Sequence, residues 1–433
     1  MKKKRAYRAR SVKQVNWAVA SQGRGGQGVH VGFDVGKEAV LAVVRWGEDQ
    51  FERPWLVENP GEIRALVNLL VRIDGERPLT LAMEPTGTYG DGLRQALADE
   101  GLSLRRVSTK AAHDYAEIFD GVPSQHDGKD AAVVAELAAQ GKSQEWPWRA
   151  PSVADEEMAY WVDWMDAQQR QLTMWLGRLE ALVVRHWPEA RHWLKVSSGT
   201  MLRVLERYGG PAGLASDAEG AAQLARWGGY YLKRETIAGL MQSARQSVGV
   251  RQGEVDVERM RQYAQQALRA RAEIGRSRRG LERLAQGNAV IQRQAKAVGV
   301  ATACVLWVCL GDPHDYHCGE AYRKAMGLNL AERSSGKYQG KLKISKRGLP
   351  QVRRWLYFAA LRLVKQGPVA RWYQRKKAKD AEEAKRAVVG VMRKLALALY
   401  QVGACGETFQ ARWLFPGHRV CERRRGCLVQ RGD

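Results

Sequence analysis

Val29-His30-Val31-Gly32-Phe33-Asp34-Val35-Gly36 alternates large apolar residues with others, as a strand with one buried face does. Lys37-Glu38 reads as a turn, and Ala39-Val40-Leu41-Ala42-Val43-Val44-Arg45-Trp46 returns as a second strand. A third strand is expected near Phe51 to Val57. Pro60-Gly61-Glu62 then opens a helix with Ile63, Leu66, Val67, Leu70 and Val71 on one face. Leu79 to Glu84 is a buried-type strand, Tyr89 to Glu100 a helix, Leu104 to Val107 a short strand, and Lys110 to Phe119 another helix. Hairpin strands followed by alternating helix and strand predict an α/β domain, a mixed sheet with flanking helices, over residues 29–150.

Asp34 is out of character in its strand. A solitary carboxylate in an apolar run is expensive to bury. Glu84 ends a second apolar strand, and in open sheets ligands gather at strand ends. Two more acids lie in His126-Asp127-Gly128-Lys129-Asp130, ahead of a strong helix former, Ala131 to Ala139. Three residues apart at a helix start, Asp127 and Asp130 point the same way and raise each other's cost of ionising. Standing alone, Asp127 reads as an N-cap and the pair as a solvated helix face. Taken with the strand context, Asp34, Glu84, Asp127 and Asp130 are candidate ligands of one hard divalent cation, magnesium or, as the alternative, manganese.

The charge balance says what such a cation would act on. Lys plus Arg number 70 against 46 Asp plus Glu, a net charge of +24, which calls for a polyanionic partner, most simply nucleic acid. Four acids on a basic body fit metal-assisted phosphoryl transfer. No apolar run is read as a membrane span or signal core, so a cytoplasmic protein is expected and the cysteines are read as thiols. Cys309, His314, His317 and Cys318 cluster but match no common zinc spacing, leaving buried thiols and surface histidines as the plainer reading.

The rest of the chain falls into four further parts. Residues 1–28 read as a basic flexible arm ending in Ser21-Gln22-Gly23-Arg24-Gly25-Gly26-Gln27-Gly28. Residues 151–295 read as a long helical, coiled-coil linker and dimerisation region, with helices over 155–187 and 252–297 that pair with each other or with another subunit. The Trp-rich stripe of the first helix reads as packing surface, and 188–250 as short helices without assigned chemistry. Residues 296–405 form a mostly helical C-terminal domain, with a Gly-, Ser- and Lys-rich loop from Glu332 to Lys346, and 406–433 a basic tail.

Three acidic stretches, Phe33-Asp34-Val35-Gly36-Lys37, Glu84-Pro85-Thr86-Gly87-Thr88-Tyr89 and Asp127-Gly128-Lys129-Asp130-Ala131, resemble the motifs of the DEDD insertion-sequence transposases, relatives of the pilin-gene invertase. The C-terminal part resembles them too, through Gly299 to Gly311, Met326-Gly327-Leu328, Ser334-Ser335-Gly336 and Ile344-Ser345-Lys346-Arg347-Gly348. The likeness covers about residues 29–140 and 296–402. It implies a RuvC-like, ribonuclease-H-type domain that binds magnesium, and a transposase domain whose serine attacks a DNA phosphodiester and becomes joined to it. It also implies a structured non-coding guide RNA that pairs with donor and target DNA, in a prokaryotic, nucleoid-associated homo-oligomer, a dimer or tetramer.

Carried over by motif, the nucleophile falls on Ser335, with Ser334 the neighbouring alternative. A serine hydroxyl needs activation. Arg333, Lys337, Lys341, Lys343, Lys346, Arg347, Arg353 and Arg354 are candidate nucleic-acid contacts that neutralise the phosphate. Three rivals remain: a metal-dependent nuclease or junction resolvase, an actin-like ATPase, and a non-catalytic RNA-binding scaffold.

Overall fold

The computed structural model describes residues 8–24, 28–47, 50–85, 87–120, 127–148, 150–332, 343–365, 367–379 and 384–414. The chain forms two compact units, Met1–Ala150 and Pro151–Asp433.

The first unit is a mixed sheet with helices. Its strands are β1 (Arg10–Ser11), β2 (Val29–Val35), β3 (Ala39–Trp46), β4 (Gln50–Phe51), β5 (Trp55–Glu58), β6 (Leu79–Met83), β7 (Leu104–Arg106) and β8 (Gln144–Glu145). They run in the order β1-β5-β3-β2-β6-β7-β8, with β4 paired to β3. β2, β3 and β5 are antiparallel; β6 and β7 continue parallel to β2. The helices are α1 (Trp17–Ala20), α2 (Ile63–Glu76), α3 (Asp91–Asp99), α4 (Thr109–Asp120) and α5 (Asp127–Ala139).

The period-two pattern of β2 separates two faces. Val29, Val31, Phe33 and Val35 join Val40, Ala42, Val44 and Trp46 in a core closed by Leu66, Val67, Leu70 and Ile73 of α2. On the opposite face α5 lies on the sheet, with Ala131 and Ala132 packed on Val43 and with Val133, Val134 and Leu137 beside Ala82, Val107 and Ala112. An apolar run with no polar side belongs in such a place, covered all round.

The expected flexible arm is folded from Arg8 to Arg24. β1 adds parallel to β5, and Trp17 is buried and stacks on Trp46 at 5.1 Å between centroids. The indole of Trp17 donates to Glu76 at 2.7 Å, and Arg24 pairs with Glu52 at 3.0 Å. One large aromatic ring with a matching slot outweighs the glycine-rich composition around it. The third strand, expected as one, is two short pieces, β4 and β5, separated by Glu52-Arg53-Pro54.

The second unit is helical. Its helices are α6 (Val153–His186), α7 (Ala190–Trp193), α8 (Gly199–Tyr208), α9 (Pro211–Ser216), α10 (Gly220–Gly228), α11 (Arg234–Arg245), α12 (Glu254–Ala285), α13 (Ala289–Val298), α14 (Val300–Leu310), α15 (Gly319–Ala325), α16 (Pro350–Leu363), α17 (Gly367–Lys379) and α18 (Ala384–Cys405). The two long helices pair with each other. Trp164 donates to Glu273, Trp175 packs on Tyr263, and His186 faces Asp256, so α6 and α12 run antiparallel. Met158, Val162, Met165 and Leu179 of α6 share one core with Ala264, Ala267 and Ala270 of α12. That explains why α12 is poor in large apolar residues: small ones let its backbone come close.

The helix expected over 252–297 breaks at Gln286-Gly287-Asn288, where the Asn288 side chain accepts from the amides of Val290 and Ile291 and starts α13. α13, α15, α16 and α17 surround α18, and one continuous core runs from Met158 to Leu414. α18 is the one helix, among the described residues, long and apolar enough to cross a membrane, and most of its apolar window is buried in this core. Cys304, Cys309 and Cys318 are free, whereas Cys405 is disulfide-bonded, a departure from the all-thiol expectation.

Candidate functional site

Asp34 is the penultimate residue of β2 and faces α5, two positions on from Gly32. Phe33 is in register with Met83 on β6, so Glu84, the next residue after β6, comes level with Asp34. Asp127 and Asp130 occupy the first turn of α5. Gly32 makes the convergence possible. A Cβ there would lie 2.1 Å from the carbonyl oxygen of Ala131 and 2.4 Å from the amide nitrogen of Ala135. Only glycine lets the α5 backbone sit directly on the strand.

Ligand atoms of Asp34, Asp127 and Asp130 lie within 4.8 Å of one another, the one such grouping among the described residues. Glu84 stands outside that trio but close enough to act on it. The Asp34 carboxyl is pushed up to about 6, by burial first and then by the charges of Asp127, Asp130 and Glu84. Glu84 is raised too, mainly by burial and also by Asp130, against a hydrogen bond from Thr109 and the charge of His113. Gathered carboxylates, with Asp34 and Glu84 raised above their ordinary range and oxygen donors only, are a donor set for magnesium or manganese. The residues fit the cation. Around Cys309 the side chains have other partners. His314 contacts Asp312, and Cys309 donates to Gln351.

A buried polar layer carries α5, and sequence reasoning did not find it. Arg45 on β3 forms an ion pair with Glu136 on α5, both nearly excluded from solvent. Gln140 adds a hydrogen bond to Glu136 at 2.8 Å. His30, two residues before Gly32, lies beside them, its pKa lowered by burial and then by Arg45. Lys129, between the two aspartates, is buried as well. The signal was present as Arg45 and His30 interrupting apolar strands, the same irregularity that singled out Asp34.

In the second unit two short strands flank the predicted loop, β9 (Leu330–Ala331) paired antiparallel with β10 (Lys343–Ile344). Ser335, Ser334, Arg333, Lys337 and Lys341 lie outside the described residues. Beyond β10 the chain closes on Met326-Gly327-Leu328. The amide of Ser345 donates to Asn329 at 2.6 Å and that of Lys346 to Gly327 at 3.2 Å. A Cβ on Gly348 would lie 2.3 Å from the carbonyl of Ala325. Two stretches almost twenty residues apart thus form one compact base to the strand pair. Lys346 adopts φ 56° there, a conformation that L side chains seldom take.

Lys343, Lys346 and Arg347 are exposed. Arg353 donates to the Gly348 carbonyl at 2.7 Å, and Arg354 is held in an ion pair by the buried Asp166. Three cations not singled out from sequence join this region. Arg323 reaches Asn329 at 3.4 Å, and Arg393 donates to the Leu328 carbonyl at 2.9 Å. Arg393 is lowered by burial and then by Arg323, and Lys394 by burial and then by Arg393, the pattern of cations gathered without enough counter-charge.

Residues 291–375 match the model of the Transposase IS116/IS110/IS902 family. The match covers the strand pair and its base and supports DNA transposase or recombinase activity. No curated protein matches the chain.

Proposed function

We propose that this chain is a DNA transposase that exchanges strands by two transesterifications, using the four acids Asp34, Glu84, Asp127 and Asp130 and the serine Ser335, drawn from one chain or from two subunits. The observation that carries the proposal is the meeting of Asp34, Asp127 and Asp130 within 4.8 Å. The strand order, with antiparallel β5, β3 and β2 continued by parallel β6 and β7, favours a RuvC-like, ribonuclease-H-type reading of that unit.

Asp34, Glu84, Asp127 and Asp130 would hold magnesium, which when bound offsets the phosphate's charge as a Lewis acid. The residues' own part is to place negative oxygens where such an ion, and nothing neutral, is stable. The Ser335 hydroxyl attacks phosphorus: a serine-oxygen–phosphorus bond forms, and the bond from phosphorus to one DNA strand breaks, leaving that strand a free hydroxyl. A hydroxyl of another strand then displaces serine, so the phosphodiester count is conserved and no nucleotide is consumed. Lys343, Lys346 and Arg347, with Arg333, Lys337, Lys341, Arg353 and Arg354, steer and neutralise the backbone. The charge of +24 suits a second polyanion as well, a structured guide RNA that selects the sites, within a homo-oligomer.

Four acids without the serine would serve a metal-dependent nuclease equally well. Ser335→Ala separates the two readings. With magnesium and element-end DNA, the wild type is expected to form a covalent protein–DNA adduct on a denaturing gel, and both Ser335→Ala and Asp127→Asn to fall to background while still binding nucleic acid. Strand cleavage that persists in Ser335→Ala would establish the nuclease instead.

A further inference from the structure

Tyr230 and Tyr231 are the most exposed large hydrophobic side chains among the described residues, at 97% and 93% of their full area. Tyrosine is amphipathic and ordinarily rests its ring on something. Two adjacent rings projecting into solvent call for a partner. The pair sits on the short turn Gly229–Tyr231 between α10 and α11, in the part of the second unit that the family match does not reach.

The mount is rigid. Trp227 before the turn and Leu232 after it both pack against the core. A Cβ on Gly228 would strike the side chain of Leu232 at 2.2 Å, and Gly229 has φ 54°, so two glycines permit this bend. The rings stand nearly perpendicular, at 81°, with centroids 5.9 Å apart.

The charge around them selects the partner. From Arg226 to Glu235 the chain carries three cations, Arg226, Lys233 and Arg234, against one carboxylate, Glu235; all three cations are exposed. A second copy meeting this face about a two-fold axis would set like charges against each other. A polyanion with free flat faces meets no such penalty. Single-stranded nucleic acid offers both, and base–aromatic stacking tolerates any sequence.

We propose that Tyr230 and Tyr231 form a stacking site for unpaired bases of single-stranded DNA, with Arg226, Lys233 and Arg234 on its phosphates. It rests on the DNA-acting reading given above and adds a strand-holding surface remote in sequence from both the acids and the serine. During exchange a duplex must open, and a site of this kind retains one separated strand.

The test is fluorescence anisotropy of the full chain with labelled single-stranded DNA, duplex DNA and RNA of one sequence. Tyr230→Ala/Tyr231→Ala is expected to weaken single-stranded DNA by about tenfold or more and to leave duplex affinity unchanged. Tyr230→Phe/Tyr231→Phe keeps the rings and should bind as the wild type. An unchanged Ala variant, a loss shared equally by duplex DNA, a loss confined to RNA, or dissociation of an oligomer by light scattering with DNA binding intact would each overturn the site. Failure of the wild type to bind any DNA would instead sink the DNA-acting reading itself.

Discussion

The two charged regions are built on opposite principles. In the first unit, like charges of Asp34, Asp127 and Asp130 are forced together on a half-buried sheet face. In the second, cations gather about an exposed strand pair and its base, several of them tied to backbone carbonyls. Repulsion between carboxylates out of water is large, so the acidic site must be held by rigid packing. The exposed cations about the strand pair, Lys343, Lys346 and Arg347, repel weakly through solvent and tolerate a looser mount. The difference teaches where precision is located: in the contact between β2 and α5, rather than in the acids themselves.

The strongest way to break that contrast is at the buried ion pair. Arg45→Met strands Glu136 under α5 and should lower unfolding stability by about 4 kcal/mol in urea denaturation. Arg45→Met/Glu136→Met should recover most of it. A loss under 1 kcal/mol in the single variant would mean that α5 is not anchored there.

Gly32→Ala is the next test, because its Cβ meets backbone rather than a flexible side-chain end. Overpacking of this kind costs about 3 kcal/mol. Displacement of α5 should also abolish magnesium binding by calorimetry, a loss that mere destabilisation at unchanged geometry would not give.

The smallest effect sharpens the electrostatics. With its carboxyl pushed up to about 6 in the fold, Asp34 opposes folding when ionised, above that pH, and the penalty fades as pH falls from about 6 toward its ordinary value of 3.8. Metal-free Asp34→Asn should therefore melt higher than the wild type at pH 7.5, with the gap narrowing as pH falls below about 6 and closing near 3.8. Magnesium at 1,000 times its dissociation constant should reverse the order, stabilising the wild type by about 4.1 kcal/mol. No reversal would remove Asp34 from the cation site.

Much of this was legible in the chain. Asp34 betrayed itself as a carboxylate inside an apolar strand, and α5 declared itself by composition from Ala131 onward. The α6 and α12 helices were visible because long periodic runs leave strong patterns. Arg8 to Arg24 was misread as a tether because a single Trp17, which decides its fate, carries no periodicity. The break at Asn288 was missed because a cap is one residue in a run otherwise suited to helix. Glu136, Lys129 and Arg393 were missed since each looks like an ordinary surface charge until its neighbours are known.

Residue type and spacing by themselves determined that acids would stand at strand and helix ends, that the molecule would be strongly basic, and that its latter part would be helical. These are local and compositional properties, written in short windows of sequence. Only the tertiary structure decided that Gly32 would admit α5 onto β2, that Met326-Gly327-Leu328 would close against Ser345 to Gly348, and that Tyr230 and Tyr231 would be left uncovered. Those depend on which backbones approach within a few ångströms, and close approach between distant segments leaves no periodic trace in the chain.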